Sequence, residues 1–504
     1  MPALVSSFTL KEIDVRFRAA VTILSLICAL PATAQMRAFT GATIIDGNGG
    51  NPIENGVVLI DGNTIKAVGR TSRVPIPNNA ERIDVSGKYI VPGLMDGNVH
   101  LVPWPSWTYI EFLARYENNF QGIAAEAAQI ALKHGFTTLF DSMGPASPEM
   151  VVRDKINRGE LVGPRIFVAG DIVGFRAVFT TPEARASASK AFQARINAQF
   201  ELNGGPDLAW MTPAQVHDEM VKYVAKGVDF VKYGATGDDP PVDSIVGQEA
   251  VLRFTPAQQR AMVDAVHAAG KIIQTHQTSA EALRIVVESG VDMAQHCAHT
   301  GRSRISEETI QLMLKRKFYC GTQWGPLTAA QLKQVHDNDF PSSDKDNGKE
   351  DMDYSVENAV RLIKAGVPEF VSTDAGTIDP DVLKDFGPDG GPGGLGGHAS
   401  LIGEAEFIDM LAMQQRGMTN MMILQAATRN IAAAYHKLDQ FGTLEPGKLA
   451  DLIVVDADPL VDFRNLKRIS MVVKEGRTID TASLPLNPIL TSQEAKDPGA
   501  IRVK

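Results

Sequence analysis

Cysteine is scarce in this 504-residue chain: only Cys28, Cys297 and Cys320 occur. Three scattered thiols are too few for a disulfide framework or a thiolate zinc site, so any metal must be held by nitrogen and oxygen ligands. Cys297 and Cys320 have no partner at motif spacing, and in buried-looking strands they read as inert packing. An excess of positive charge is lacking too. Lys and Arg total 49 against 59 Asp and Glu, a net charge of −10 without a basic run, which gives a phosphate backbone nothing to bind. Beyond the first 34 residues no apolar run is long enough to cross a bilayer. What remains, 44% hydrophobic and 21% charged side chains, is the composition of an ordinary folded protein with a large core.

The front of the chain stands apart. Arg16 and Arg18 precede the apolar run AAVTILSLICAL, followed by Pro31 and the small residues Ala32-Thr33-Ala34 before Gln35. A basic flank, a short apolar stretch and small residues two apart describe a signal peptide over residues 1–34, with a periplasmic or secreted mature protein. A start near Met36 would instead leave a cytoplasmic chain. No membrane contact is expected after removal of the segment.

From Met36 to about Ile90 short β-branched runs alternate with Asp-Gly and Asn-Gly pairs, the grammar of hairpins. From Val91 onward helical stretches separate eight apolar strand candidates: VPGLMDGNVHL, GFTTLFDS, PRIFVAGDI, DFVKYGAT, KIIQTHQT, DMAQHCAH, KFYCGTQW and EFVSTDAG. Eight strand-helix alternations predict an α/β fold, a (β/α)8 TIM barrel over 91–440. The β grammar returns in TLEPGKLADLIVVD and SMVVKEGRTI. Residues 36–90 and 441–485 are therefore predicted to form a small composite β-sandwich built from both chain ends.

Barrel enzymes carry their chemistry at the C-terminal ends of the strands. Polar residues there select Asn98 and His100 on strand 1, Lys232 on strand 4, His276 on strand 5, His296 on strand 6 and Asp374 on strand 8. Asn98 and His100, two apart on a strand, point the same way. The imidazoles of neighbouring strands 5 and 6 can reach one ion at about 2 Å. Lys232 is costly in an apolar strand unless paired or neutralised, and carbamylation is one solution.

These residues resemble the metal-dependent amidohydrolase superfamily, in the branch with imidazolonepropionases, prolidase-like carboxypeptidases and ochratoxin-type amidases. VPGLMDGNVH looks like the family's Pro-Gly-x-x-Asp-x-His-x-His, DFVKYGATG carries its carbamylated lysine, and IIQTHQ, DMAQHCAH and VSTDAG match its later motifs. GTLEPGKLADLIVVDADPL is similar to the sheet motif after the barrel, so the resemblance runs from about Met36 to Ile479. It implies one or two divalent ions (zinc first, with manganese, cobalt or iron as alternatives). It also implies N6-carboxylation of Lys232, bridging an ion at Asn98, His100 and Asp374 to one at His276 and His296. Asp374 would take the proton of the attacking water and pass it to the leaving amine. One departure stands out: Asn98 replaces the first histidine of the strand 1 pair, as in phenylurea hydrolases and the related thiocarbamate hydrolase.

The resemblance predicts hydrolysis of an amide, urea or carbamate-type C–N bond in a small aromatic or hydrophobic molecule. Trp104, Trp107 and Trp324 map to loops at the catalytic face and, with Tyr233 and His398, are the expected substrate contacts. Packing is the alternative for Tyr233 and the tryptophans. Arg153, Arg165 and Arg176 keep a prolidase-like carboxypeptidase or N-acyl amino acid amidohydrolase open, and a metal- or ligand-binding barrel without turnover is a third reading. Family members often form oligomers, so a homo-oligomer is expected.

Overall fold

The structure is a computed structural model and describes residues 36–102, 109–174, 186, 188–200, 206–236, 252–300, 303–340, 354–377 and 401–492. The expected signal segment, Trp104, Trp107, Arg176 and His398 lie outside the described residues. Among the described residues no helix is long and apolar enough to cross a membrane.

The hairpin grammar of both chain ends folds into one sheet. Its N-terminal strands are β1 (Arg37–Ile44), β2 (Ile53–Asp61), β3 (Thr64–Arg70), β4 (Glu81–Asp84) and β5 (Tyr89–Pro92). The β2–β3 turn passes through Gly62, whose φ of +61° is the left-handed conformation that a tight hairpin needs and glycine adopts freely. The C-terminal strands β15 (Leu452–Val455), β16 (Ile469–Lys474) and β17 (Arg477–Ile479) complete the order β17-β16-β15-β5-β1-β2-β3, with β4 beside β1. The seam is the antiparallel pairing of β5 with β15, Ile90 opposite Val454. Phe39, Ile60, Ile90, Leu452, Val454 and Val473 form a core of their own there, so neither chain end buries its apolar face without the other.

Between these ends all eight predicted core strands are present. They are β6 (Leu94–His100), β7 (Phe136–Asp141), β8 (Arg165–Val168), β9 (Val231–Gly234), β10 (Ile273–His276), β11 (Met293–Gln295) and β12 (Tyr319–Gly321). The eighth is split into β13 (Glu369–Phe370) and β14 (Ala375–Gly376). They pair in parallel as β14-β6-β7-β8 and β13-β12-β11-β10-β9. Val173 N donates to Lys232 O (2.9 Å) and receives Gly234 N on its carbonyl (2.9 Å), linking the two sheets on one side. On the other, Gly97 N donates to Val371 O (3.0 Å) and Asp374 N to Asn98 O (2.8 Å). Gly97 is required by this approach, because a Cβ there would stand 2.6 Å from the Phe370 ring.

The sequence writes several helix starts explicitly. Thr212-Pro213-Ala214-Gln215 and Thr255-Pro256-Ala257-Gln258 both form capping boxes with proline in the first turn, opening the helices Pro213–Val224 and Pro256–Ala268.

One expectation is corrected. Cys297 and Cys320 are joined in a disulfide, with Cα atoms 5.7 Å apart although 23 residues separate them in sequence. Parallel pairing of β11 with β12, Ala294 opposite Cys320, brings the two thiols together, and spacing along the chain could not reveal that.

Candidate functional site

The six polar residues selected at strand ends converge. Asn98 and His100 project from β6, Lys232 from β9 and His276 from the end of β10, while His296 follows β11 and Asp374 lies between β13 and β14. Asp374 is the hub. Its Oδ1 accepts from Asn98 Nδ2 and lies 3.2 Å from His100 Nε2 and 3.8 Å from Lys232 Nζ. Its Oδ2 lies 3.3 Å from His296 Nε2 and accepts from Gln323 Nε2 at 2.7 Å. Lys232 Nζ also donates to Asn98 Oδ1 at 3.0 Å. The His276 and His296 rings are 4.9 Å apart, and His299 flanks His296 at 5.9 Å. Apart from Asp374, whose side chain is 22% exposed, the six are buried.

Both His296 (φ +59°) and Asp374 (φ +53°) occupy the left-handed region, which costs a non-glycine residue roughly 1–2 kcal/mol. Such conformations persist where the surroundings over-determine them, commonly at functional sites. The charge states follow from burial. Desolvation pushes His100 down and His296 well below the usual imidazole value, leaving both neutral at pH 7. Burial alone would raise Asp374, but its close partners, His296 ahead of Lys232, outweigh it and hold its carboxyl well below the usual range.

These states bear on what the site can hold. His100 Nδ1 sits 3.1 Å from the Met143 carbonyl, which fixes the tautomer with Nδ1–H donating and the Nε2 lone pair turned to Asp374. An imidazole lone pair and a carboxylate oxygen at 3.2 Å repel unless a proton or a cation lies between them. Two ligands each about 2.1 Å from one ion are spaced by roughly 3–3.5 Å, and both the His100–Asp374 and His296–Asp374 distances fall in that range. His296 Nδ1 has no hydrogen-bond partner among the described residues. Neutral imidazoles around an ionised carboxylate suit a divalent ion of the zinc, manganese, cobalt or iron type. Among the described residues no three His, Cys, Asp or Glu side chains are already set around one point, so the donors are arranged as pairs sharing Asp374, with Lys232 and Asn98 between them.

A buried polar layer underlies the cluster. Gln274, two residues before His276 and on the same strand face, donates to Ser142 Oγ (2.7 Å) and accepts from Gln295 and from Tyr435 OH (3.0 Å). Ser372 Oγ in turn donates to Gln295. Beside it, burial raises Asp141 to about 7, while Leu101 N and Met143 N donate to its carboxyl.

For two expected substrate contacts the surroundings favour the packing alternative. Tyr233 faces away from Lys232, as adjacent strand residues must; it is fully buried and its hydroxyl donates to Gln259 Oε1 at 2.7 Å. Trp324 is packed beneath the Arg416 guanidinium (5.1 Å) and is a core residue against the helix Ala405–Gln415. Two of the arginines near strand 3 are also committed. Arg153 pairs with Asp154 and Asp229, and Arg165 with Asp451 and Glu475. Gln323 was not among the predicted residues, although KFYCGTQW carries a polar side chain at a strand end, the same signal that selected the others.

The sequence model of the amidohydrolase family matches residues 89–479. Imidazolonepropionase from Streptomyces avermitilis is 23% identical over 438 residues, covering 85% of this chain and 87% of that protein. Among solved structures, molinate hydrolase aligns with a TM-score of 0.80 at 38% identity, over 91% of this chain and 98% of its own. Phenylurea hydrolase B aligns with a TM-score of 0.79 at 32% identity, over 91% and 100%.

Proposed function

The chain belongs to the amidohydrolase family, and on that premise we propose that it is a metal-dependent hydrolase of an amide, urea or carbamate-type C–N bond in a small aromatic or hydrophobic molecule. The observation that carries this reading is the pair of ligand-like separations, 3.2 Å from His100 and 3.3 Å from His296 to the two oxygens of one ionised carboxylate. The substrate class is favoured by the likeness to molinate hydrolase and phenylurea hydrolase B, and by the engagement of Arg153 and Arg165 in ion pairs, which leaves neither for a substrate carboxylate. The eight parallel segments are read as a closed (β/α)8 barrel over 91–440, beside a composite β-sandwich of 36–90 and 441–485.

In this reading one or two divalent ions are held by Asn98, His100, His276, His296 and Asp374, with Lys232 carboxylated at its N6. Bound there, such an ion supplies a water of lowered pKa and polarises the scissile carbonyl. The chain's own part is proton traffic. Asp374 accepts the proton lost as water adds to the carbonyl carbon, then returns it to the nitrogen as the C–N bond breaks, so an acid and an amine leave. Met143 O keeps His100 in the tautomer that turns Nε2 inward. Export after removal of residues 1–34 belongs to the same reading, supported by the Cys297–Cys320 disulfide, which suits an oxidising compartment.

The test is a panel of neutral anilides, phenylureas and thiocarbamates set against N-acyl amino acids, assayed with zinc, manganese or cobalt. Activity confined to the neutral compounds supports the reading. Activity confined to N-acyl amino acids would transfer it to the carboxypeptidase-like alternative, and none at all to a barrel that binds without turnover.

A further inference from the structure

Gln323 lies two residues beyond β12 with a φ of +64°, a conformation that glutamine adopts only against a cost. What holds it there is visible on both sides. Asp409, buried in the helix Ala405–Gln415, accepts from Thr322 Oγ1 with one oxygen and from Trp324 N (2.8 Å) with the other. Thr322 also donates its N–H to Phe370 O (3.1 Å), on the neighbouring strand. The residues before and after Gln323 are thus gripped by one buried carboxylate, and the backbone between them is forced into the left-handed turn. The result is directed: the half-buried side chain delivers Nε2–H to Asp374 Oδ2 at 2.7 Å.

We propose that Gln323 is a positioning residue for Asp374. Asn98 Nδ2 restrains Oδ1 from strand 1 and Gln323 Nε2 restrains Oδ2 from strand 7, so two neutral amides fix the carboxylate plane between the His100 and His296 nitrogens. A carboxylate that must receive a proton and return it to a different atom needs its plane held, because free rotation would carry both lone pairs off line. An amide does this without adding a further charge beside Asp374.

The inference rests on the metal-centre reading, and the test separates the two. Gln323→Gly removes the amide and relieves the left-handed backbone, so the fold is retained or gains stability. Gln323→Asn tolerates the same φ but is one methylene short. In the Gly variant, kcat falls by roughly 10- to 100-fold with KM little changed. The cobalt-loaded resting protein binds wild-type stoichiometry but shows a shifted visible absorption, as a reoriented carboxylate requires. Gln323→Asn falls between the Gly variant and wild type in both readouts. A Gly variant with the wild-type cobalt spectrum overturns the positioning role, whatever its turnover. Wild-type protein that binds no cobalt overturns the metal reading, and the Gln323 role with it.

Discussion

Asp374 is the residue on which most of the chemistry converges, and its substitution separates binding from turnover. Asp374→Asn keeps shape but accepts no proton, and should cost roughly 100- to 10,000-fold in kcat with the fold intact by circular dichroism. Lys232→Ala should abolish activity and lower metal content, with partial rescue by short carboxylates that stand in for the proposed carbamate; full activity in that variant would refute the bridging role. At this scale the sequence was most informative about residues that break a rule. A lysine or histidine at the end of an apolar strand is visible because burying it is expensive. Gln323 obeyed the same rule and escaped notice because glutamine is a less conspicuous violation. Tyr233 shows the limit of adjacency: next to Lys232 in sequence, it lies on the opposite side of the strand.

The elements were legible where their periodicity is local, and illegible where a contact depends on which strands become neighbours. Thr-Pro-Ala-Gln predicts a capped helix from four residues, and both copies form one. The Cys297–Cys320 bond needs knowledge that β11 and β12 lie side by side. Closing a loop of 23 residues should stabilise by roughly 3 kcal/mol, so Cys320→Ser should lower the unfolding free energy by about that amount, and reductant should do the same to the wild type once unfolding exposes the bond. Equal denaturant midpoints for the two proteins would show that the thiols are not joined. Gly97 makes a second test of strand placement. A methyl group there meets the Phe370 ring, and Gly97→Ala should destabilise by roughly 1–3 kcal/mol.

At the scale of the molecule, the sheet from the chain ends and the parallel strands are clamped by Arg165. It donates to Asp451 Oδ2 and Glu475 Oε1, both at 2.7 Å, and lies over the Phe441 ring. Arg165→Met would strand Asp451, 4% exposed, beside the junction and should cost roughly 3–5 kcal/mol. Stability should also respond to pH through the buried acids. Burial raises Glu406 from 4.5 to about 8, so its contribution is fully present below pH 4.5 and is lost as pH rises through 8. Glu406→Gln should therefore be more stable than wild type at pH 9, by up to roughly 5 kcal/mol, and should converge with it near pH 4. The general architecture was readable because eight strand-helix repeats leave few alternatives, whereas which loop side chains reach a substrate depends on neighbours that no local pattern names. The central claim, that paired imidazoles around Asp374 serve metal-dependent cleavage of a C–N bond, is tested most directly by amine release from neutral anilides, phenylureas and thiocarbamates before and after chelation. Release that stops on metal removal and returns with added zinc, manganese or cobalt is the predicted result; release that persists in verified metal-free protein, or none in the metal-loaded protein, contradicts the account.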